Sequence, residues 1–166
     1  MIVLDASTAI LLAKAELLDQ CVEAVKQPVV TPKEVEQECY GRPEALDAHL
    51  IAQAIAEKRI KIQVVRQRKQ YEKLRRDFTL GRGEAAAIVL ALDSQDAVVA
   101  TDDRQAINAC KLLRLPFTTA LAVLLRMREK GLLSAEAAAI KLEALARYGR
   151  YQERAIEAAR RELEGK

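Results

Sequence analysis

The chain has no tryptophan, a single histidine, and an aromatic content of only 4% over 166 residues. A core without large rings has to be built from Leu, Ile, Val and Ala, which suits helices packed closely on a sheet. One histidine, His49, excludes histidine-rich zinc sites by count. A Ser/His or Cys/His catalytic pair would have to be built around that residue, which lies in a polar segment and reads as an exposed helical side chain. Cys21, Cys39 and Cys110 are odd in number, widely spaced and free of any C-x-x-C pattern, so packing thiols in a reducing compartment are expected. No apolar run approaches the roughly 18 residues of a membrane span. No charged stretch precedes the apolar N-terminal residues as a secretion signal would require. The expectation is a cytoplasmic protein with no membrane association.

What the chain does have is 51% hydrophobic residues, enough for one domain with a substantial core. The net charge of +3 hides an asymmetry. Between Lys58 and Arg76 stand nine Lys and Arg against the single acid Glu72, a local charge of +8 that leaves −5 for the rest of the chain. Such concentration is the footprint of a polyanion-facing surface, and nucleic acid is the expected polyanion. Arg68, Lys69, Arg75 and Arg76, with Arg82 just beyond the run, are the candidate phosphate contacts. Aromatics near these features are few, Tyr40 and Tyr71 among them, so recognition through the nucleic-acid backbone and its shape is expected rather than a stacking platform.

The stretch from Leu80 to Asp103, LGRGEAAAIVLALDSQDAVVATDD, organises the remainder. A Gly-containing turn leads into an Ala-rich helix from Glu84 to Leu92 that is apolar all round and must therefore be buried. A short strand, Ala97 to Ala100, then stops at Thr101-Asp102-Asp103. Glu84 enters the same interior as Ile88 and Ala91, and a carboxylate near a core needs a partner. A divalent cation would serve, with the Asp pair supplying further oxygens.

Strand and helix alternate along the chain, which argues for a parallel sheet covered on both faces. Ile2-Val3-Leu4 is a first strand ending at Asp5, with Ser7 a possible helix cap. Thr31-Pro32-Lys33-Glu34 reads as a capping box with proline at the first helical position. In the helix that follows, Val35 and Glu38 share a face. Glu38 is expected inward or at the rim, with Glu34 and Glu36 facing elsewhere. Gly41-Arg42-Pro43 breaks that helix, and Glu44 to Lys58 forms another. Ile60 to Val65 alternates as a half-buried strand, Arg66 to Asp77 is the basic helix, and Gln105 to Leu113 is helical. Leu115-Pro116-Phe117 is a last short strand, and helices over Thr118 to Lys130, Ala135 to Tyr148 and Gln152 to Leu163 close the chain. Asp5 and the Asp102-Asp103 pair both fall just past strand ends, where open α/β sheets place their ligands.

Asp5 in IVLDAS, Glu38 in TPKEVEQE, Glu84 in LGRGEAAAIVLA and Asp102-Asp103 in VVATDDRQAINACKLLRLP resemble the PIN domain, a compact α/β nuclease fold. The resemblance is closest to prokaryotic VapC-type toxins and related uncharacterised PIN proteins. It spans residues 1–130 as a nuclease domain, and 131–166 is similar to a C-terminal helical extension packed on the same domain. It implies a three-layer α/β/α sandwich with a short parallel sheet of four to five strands. It also implies metal-dependent RNA cleavage, a homodimer and a cognate antitoxin protein. Carried over by position, Asp5, Glu38 and Glu84 match the first three family acids, and the fourth aligns with either Asp102 or Asp103. Catalysis is thus expected from Asp5, Glu38, Glu84, Asp102 and Asp103. Metal ligation is expected from Asp5, Glu84, Asp103 and Asp102.

The residue inventory points the same way. Without a nucleophile motif, the attacking group must be water, and an all-oxygen ligand set suits Mg²⁺ or Mn²⁺. The alternative is a PIN-like module that binds RNA or protein without cutting.

Overall fold

The structure, a computed structural model, describes residues 1–40 and 45–165. The expected break at Gly41-Arg42-Pro43 and the expected helix start at Glu44 lie outside the described residues, as do the side chains of Cys39 and Tyr40. Five strands are formed by the apolar runs: β1 Ile2–Leu4, β2 Val29–Pro32, β3 Lys61–Gln63, β4 Val98–Ala100 and β5 Phe117–Thr118. They make one all-parallel sheet in the order β3-β2-β1-β4-β5. Ten helices connect and follow them among the described residues. These are α1 Ala6–Lys14, α2 Leu18–Ala24, α3 Lys33–Tyr40, α4 Leu46–Ala56, α5 Arg68–Phe78, α6 Arg82–Leu92, α7 Arg104–Leu113, α8 Ala120–Glu129, α9 Ala135–Tyr148 and α10 Glu153–Glu164.

Because successive strand residues point to opposite faces, the sheet divides the apolar side chains into two cores. Leu4, Val29 and Ala100 join Leu12, Leu18, Ile51, Leu124, Leu142, Leu145 and Ile156, so α1, α2, α4, α8, α9 and α10 contribute to one core. Val3, Val30 and Val99 join Tyr71, Leu74, Ile88, Leu90 and Cys110 in the core shared with α5, α6 and α7. The result is a three-layer α/β/α sandwich. The C-terminal helices bury Leu142, Leu145, Ile156 and Leu163 in the same cluster as β1.

Helix α6 is the densest element: Ala85 to Ala91 are all between 0% and 2% exposed. Alanine loses no side-chain entropy on burial and lets a helix approach a sheet closely, which explains why this run is not Leu-rich. Helix α6 touches β1, β2 and β4 on one side and α3, α5 and α7 around it.

The chain runs β1, β2, β3 towards one edge and then crosses back to place β4 on the other side of β1. The direction of winding therefore reverses between β1 and β4, and crevices that hold ligands form beyond the carboxyl ends at such reversals. Asp5 and Thr101 are the first residues past those two ends.

The expected capping box does not form. Pro32 is the last residue of β2, not the first of a helix, and Thr31 does not cap α3. The Thr31 hydroxyl donates to the Leu4 carbonyl at 2.9 Å, across to the neighbouring strand. A buried hydroxyl takes the acceptor that the sheet offers, and tertiary geometry overrides the local capping pattern.

Candidate active site

Asp5 begins at the N-cap position of α1 but makes no cap hydrogen bond with its side chain. Its Oδ2 instead accepts from the Ser7 hydroxyl at 2.9 Å and the Thr101 hydroxyl at 2.7 Å. The expected Ser7 cap is thereby replaced by a relay. Ser7 Oγ accepts from the Asp102 backbone N–H at 3.0 Å, and Thr101 Oγ1 accepts from the Asp103 N–H at 3.3 Å. Two backbone donors of the β4–α7 turn are thus passed through two hydroxyls onto one carboxylate oxygen. Asp5 is 1% exposed, and burial pushes its carboxyl up to about 6 against the opposing pull of these hydroxyls.

Glu84 lies in the first turn of α6, which begins at Arg82, two residues earlier than the expected start. Its carboxylate folds back over the turn: a Cβ at Gly81 would fall 2.1 Å from Glu84 Oε2, so a side chain there would push the carboxylate aside. Glu84 Oε2 is buried without a hydrogen-bond partner. Burial first, then the charges of Asp5, Asp103 and Glu38, push this carboxyl up to about 7. Like charges held near one another have this effect, and the three named acids come from the residue after β1, the β4–α7 turn and α3.

Glu38 is held to the same place by α6, because the Gly83 N–H donates to its Oε1 at 3.1 Å. A Cβ at Gly83 would stand 3.0 Å from Val35 Cγ2 and 3.1 Å from Glu38 Oε1, so α3 lies closely against α6 at this glycine. Burial raises the Glu38 carboxyl, opposed by the Gly83 hydrogen bond and the Arg82 charge. Asp103 is the N-cap of α7, its Oδ1 accepting from the Gln105 and Ala106 N–H groups at 2.8 and 2.9 Å. Its Oδ2 takes no part in the cap.

Asp102 goes elsewhere. Its Oδ2 accepts from Thr8 Oγ1 at 2.5 Å and from the Ala120 N–H at 2.9 Å, and its Oδ1 accepts from the Tyr151 hydroxyl. The structure therefore brings Asp5, Glu38 and Asp103 within electrostatic range of Glu84. It draws Asp102 towards α8 and the C-terminal segment.

Glu34 was expected to face away, and this is corrected: it is only 8% exposed. Its Oε2 is buried and unpartnered, and Arg68 Nη1 stands 3.9 Å from its Oε1. It also adds to the raising of Glu38. The signal was present in the sequence, since residues 34 and 38 are four apart and share a helix face. Tyr71 is 3% exposed beneath Arg68 and Arg75, whose guanidinium groups lie 5.9 and 5.8 Å from its ring. It is a core residue, with no face left for a base. Lys69, Arg76 and Arg82 are exposed, and the Arg68 side chain is 65% exposed. His49 is exposed on α4, as expected.

A family model described as a PIN domain matches residues 1–164. The chain belongs to the PIN-domain family. No curated protein and no solved structure matches it. The PIN domain is a nuclease-type fold that typically works with divalent metals.

Among the described residues, no group of three or more His, Cys, Asp or Glu side chains is close enough to hold a metal ion between them. The donor set nevertheless fits a hard cation. All its members are carboxylates, Glu84 Oε2 is buried without a donor, and the mutual repulsion on Glu84 is the kind a cation relieves. Mg²⁺ keeps several waters and takes only one or two protein carboxylates, so a loose ring of acids in this PIN domain meets its requirement. No helix among the described residues is long and apolar enough to cross a membrane.

Proposed function

We infer that this PIN-domain protein is a divalent-metal-dependent endoribonuclease. The observation that carries the inference is the Glu84 carboxyl, whose buried oxygen lacks a donor while Asp5, Asp103 and Glu38 crowd it with negative charge. Asp5, Glu84 and the free oxygen of Asp103 would hold Mg²⁺ or Mn²⁺, and Asp102 belongs to the framework. When bound, such an ion supplies a more acidic water and neutralises charge building on the phosphate.

The chain's own groups have distinct parts. The Ser7 and Thr101 hydroxyls fix one oxygen of Asp5, so its carboxylate meets the site in one orientation. Glu38 Oε1 is tethered to the Gly83 N–H, which leaves Oε2 to order a water and accept its proton. The water oxygen then bonds to phosphorus while the bond from phosphorus to the leaving ribose oxygen breaks. Arg82 beside Glu38, with Arg68, Lys69, Arg75 and Arg76 on α5, would contact flanking phosphates and contribute affinity without sequence choice. A role as the toxin of a toxin–antitoxin pair, working as a homodimer in the cytoplasm, completes the proposal on the strength of the family resemblance.

A non-cleaving RNA- or protein-binding module is the second reading, favoured by the absence of a ready-made ligand group among the described residues. Labelled RNA incubated with Mn²⁺ separates the two. Wild-type protein is expected to cut and Asp5→Asn to lose at least about a hundredfold in rate, an effect of the size expected when an electrostatic stabiliser is removed. Equal cutting by the two proteins would refute the site. No cutting by either would favour the binding module.

A further inference from the structure

The proposed chemistry leaves Asp102 unused, yet it is among the most heavily bonded side chains near the site. Its two oxygens take the Tyr151 hydroxyl, the Thr8 hydroxyl and the Ala120 N–H, while its own N–H donates to Ser7 Oγ. One residue thereby ties the end of β4 to the starts of α1 and α8 and to the α9–α10 connection. The last tie is unexpected, because Tyr151 lies 49 residues on.

The connection is shaped for it. A Cβ at Gly149 would lie 2.4 Å from the Tyr151 ring and 2.8 Å from the Leu145 carbonyl, so glycine is needed for the ring to fold back against the end of α9. A half-buried phenol needs an acceptor for its hydroxyl, and Asp102 Oδ1 supplies it. The next residue is Asp103, whose N–H is held by Thr101 Oγ1 and whose Oδ1 caps α7. With both neighbours fixed, the direction of the remaining Asp103 oxygen follows from the backbone at Asp102.

We propose that Tyr151 is a positioning residue. Its phenol locks Asp102, and the locked turn aims Asp103 at Asp5 and Glu84. Asp102 acts here as framework, its oxygens already accepting from the Tyr151 and Thr8 hydroxyls and the Ala120 N–H. The C-terminal segment is then a working part of the site, although it carries none of the clustered acids. The chemical consequence rests on the nuclease reading above, but the mechanical one does not.

The test compares Tyr151→Phe, Asp102→Asn and the double variant with wild type. Phenylalanine keeps the ring and removes one oxygen, so the fold is retained. Mn²⁺ affinity by calorimetry at low temperature is expected to fall about tenfold in Tyr151→Phe, the usual effect of losing a partner that orients a ligand. The rate constant for RNA cleavage should fall with KM unchanged, because α5 is untouched. Amide exchange at Gln105 and Ala106 should quicken. Asp102→Asn should reproduce these effects, and the double variant should be no worse than the weaker single one, since both break the same contact.

Wild-type Mn²⁺ affinity and wild-type amide protection in Tyr151→Phe would overturn the proposal. So would loss of all Mn²⁺ binding in Asp102→Asn alone, which would make Asp102 a ligand. A lower melting temperature with unchanged Mn²⁺ affinity and KM-independent rate would mean a merely structural contact, and would overturn it too. If wild type itself binds no Mn²⁺, the nuclease reading fails. Exchange at Gln105 and Ala106 then decides the clasp alone: quickened exchange upholds it and unchanged exchange ends it.

Discussion

Replacing Asp5 by asparagine should make the metal-free protein more stable, not less. The Asp5 carboxyl is 1% exposed and burial raises it from 3.8 to about 6. That difference corresponds to about 3 kcal/mol lost when the anion forms inside the fold. The folded value lies above the unfolded one, so the folded state holds the proton more tightly. Stability is therefore highest below about pH 4, declines as pH rises towards about 6, and the loss is complete above that. Asparagine carries no charge to desolvate, and its Oδ1 can accept from the same two hydroxyls at 2.9 and 2.7 Å. Its amide hydrogens need acceptors among the surrounding carboxylates, and an imperfect match returns about 1 kcal/mol. The net gain at pH 8 in chelator is about 2 kcal/mol, or roughly 4–8 °C in Tm for a chain of this size. At pH 4, where folded Asp5 keeps its proton, only the amide mismatch remains and the variant should melt slightly below wild type. Saturating Mn²⁺ should reverse the order, because an ion at a hundred times its Kd stabilises wild type by about 2.7 kcal/mol and has little to bind in the variant. Thermal melts at pH 4, 6 and 8, with chelator and with Mn²⁺, measure all of this. A variant that melts below wild type at pH 8 in chelator, or a gap that does not widen with pH, would show that Asp5 is not a desolvated anion awaiting a cation.

Mn²⁺ affinity should rise between pH 5 and 8, with proton release detectable by calorimetry in buffers of different ionisation enthalpy. The cause is that Asp5, raised to about 6, and Glu84, raised to about 7, must both lose their protons for the ion to bind; a flat profile would refute this. Asp103→Asn keeps an oxygen to cap α7 and should leave Tm nearly unchanged while weakening Mn²⁺ binding. Asp103→Ala should in addition cost about 1 kcal/mol of stability for the lost cap, and equal melting of the two variants would contradict the cap geometry. Neutralising Arg68, Lys69, Arg75 and Arg76 together should lessen the salt dependence of RNA binding, measured in chelator, by about 0.7 in log–log slope for each phosphate contact removed. An unchanged slope would remove α5 from the RNA surface.

The frame of the site was legible because it follows from short-range rules. Ile2-Val3-Leu4 had to be a buried strand, so Asp5 had to sit at its end, and an Ala-rich run with one leading Glu had to be a buried helix carrying Glu84. What escaped was set by contacts distant in sequence. Thr31 looked like a helix cap until the Leu4 carbonyl claimed its hydroxyl across the sheet. Asp102 and Asp103 were indistinguishable in VVATDD, because their separation depends on Tyr151 and Ala120, which no local pattern connects to them. The burial of Tyr71 under Arg68 and Arg75 agrees with the expectation that no stacking platform is present. Glu34 is a different kind of omission, since helical spacing alone would have set it beside Glu38.

The two cores explain how the fold tolerates its own site. A cluster of like-charged acids is a local liability in the metal-free protein, and Asp5, Glu84 and Asp103 each adjoin an element with a buried face. Asp5 follows Val3 and Leu4, one in each core. Glu84 precedes seven consecutive residues no more than 2% exposed. Asp103 begins α7, which buries Ala106, Ala109 and Cys110. Apolar burial of that extent, at about 25 cal/mol per Å², can offset a few kcal/mol of charge repulsion without a counter-ion being present. On the proposed reading, folding would precede metal binding rather than depend on it. Preorganisation of this kind lets the energy of ion binding go to the substrate's phosphate rather than to ordering the chain. Ser7 and Thr101 collect backbone donors and pass them to Asp5, so the most deeply buried acid is oriented by the turn itself.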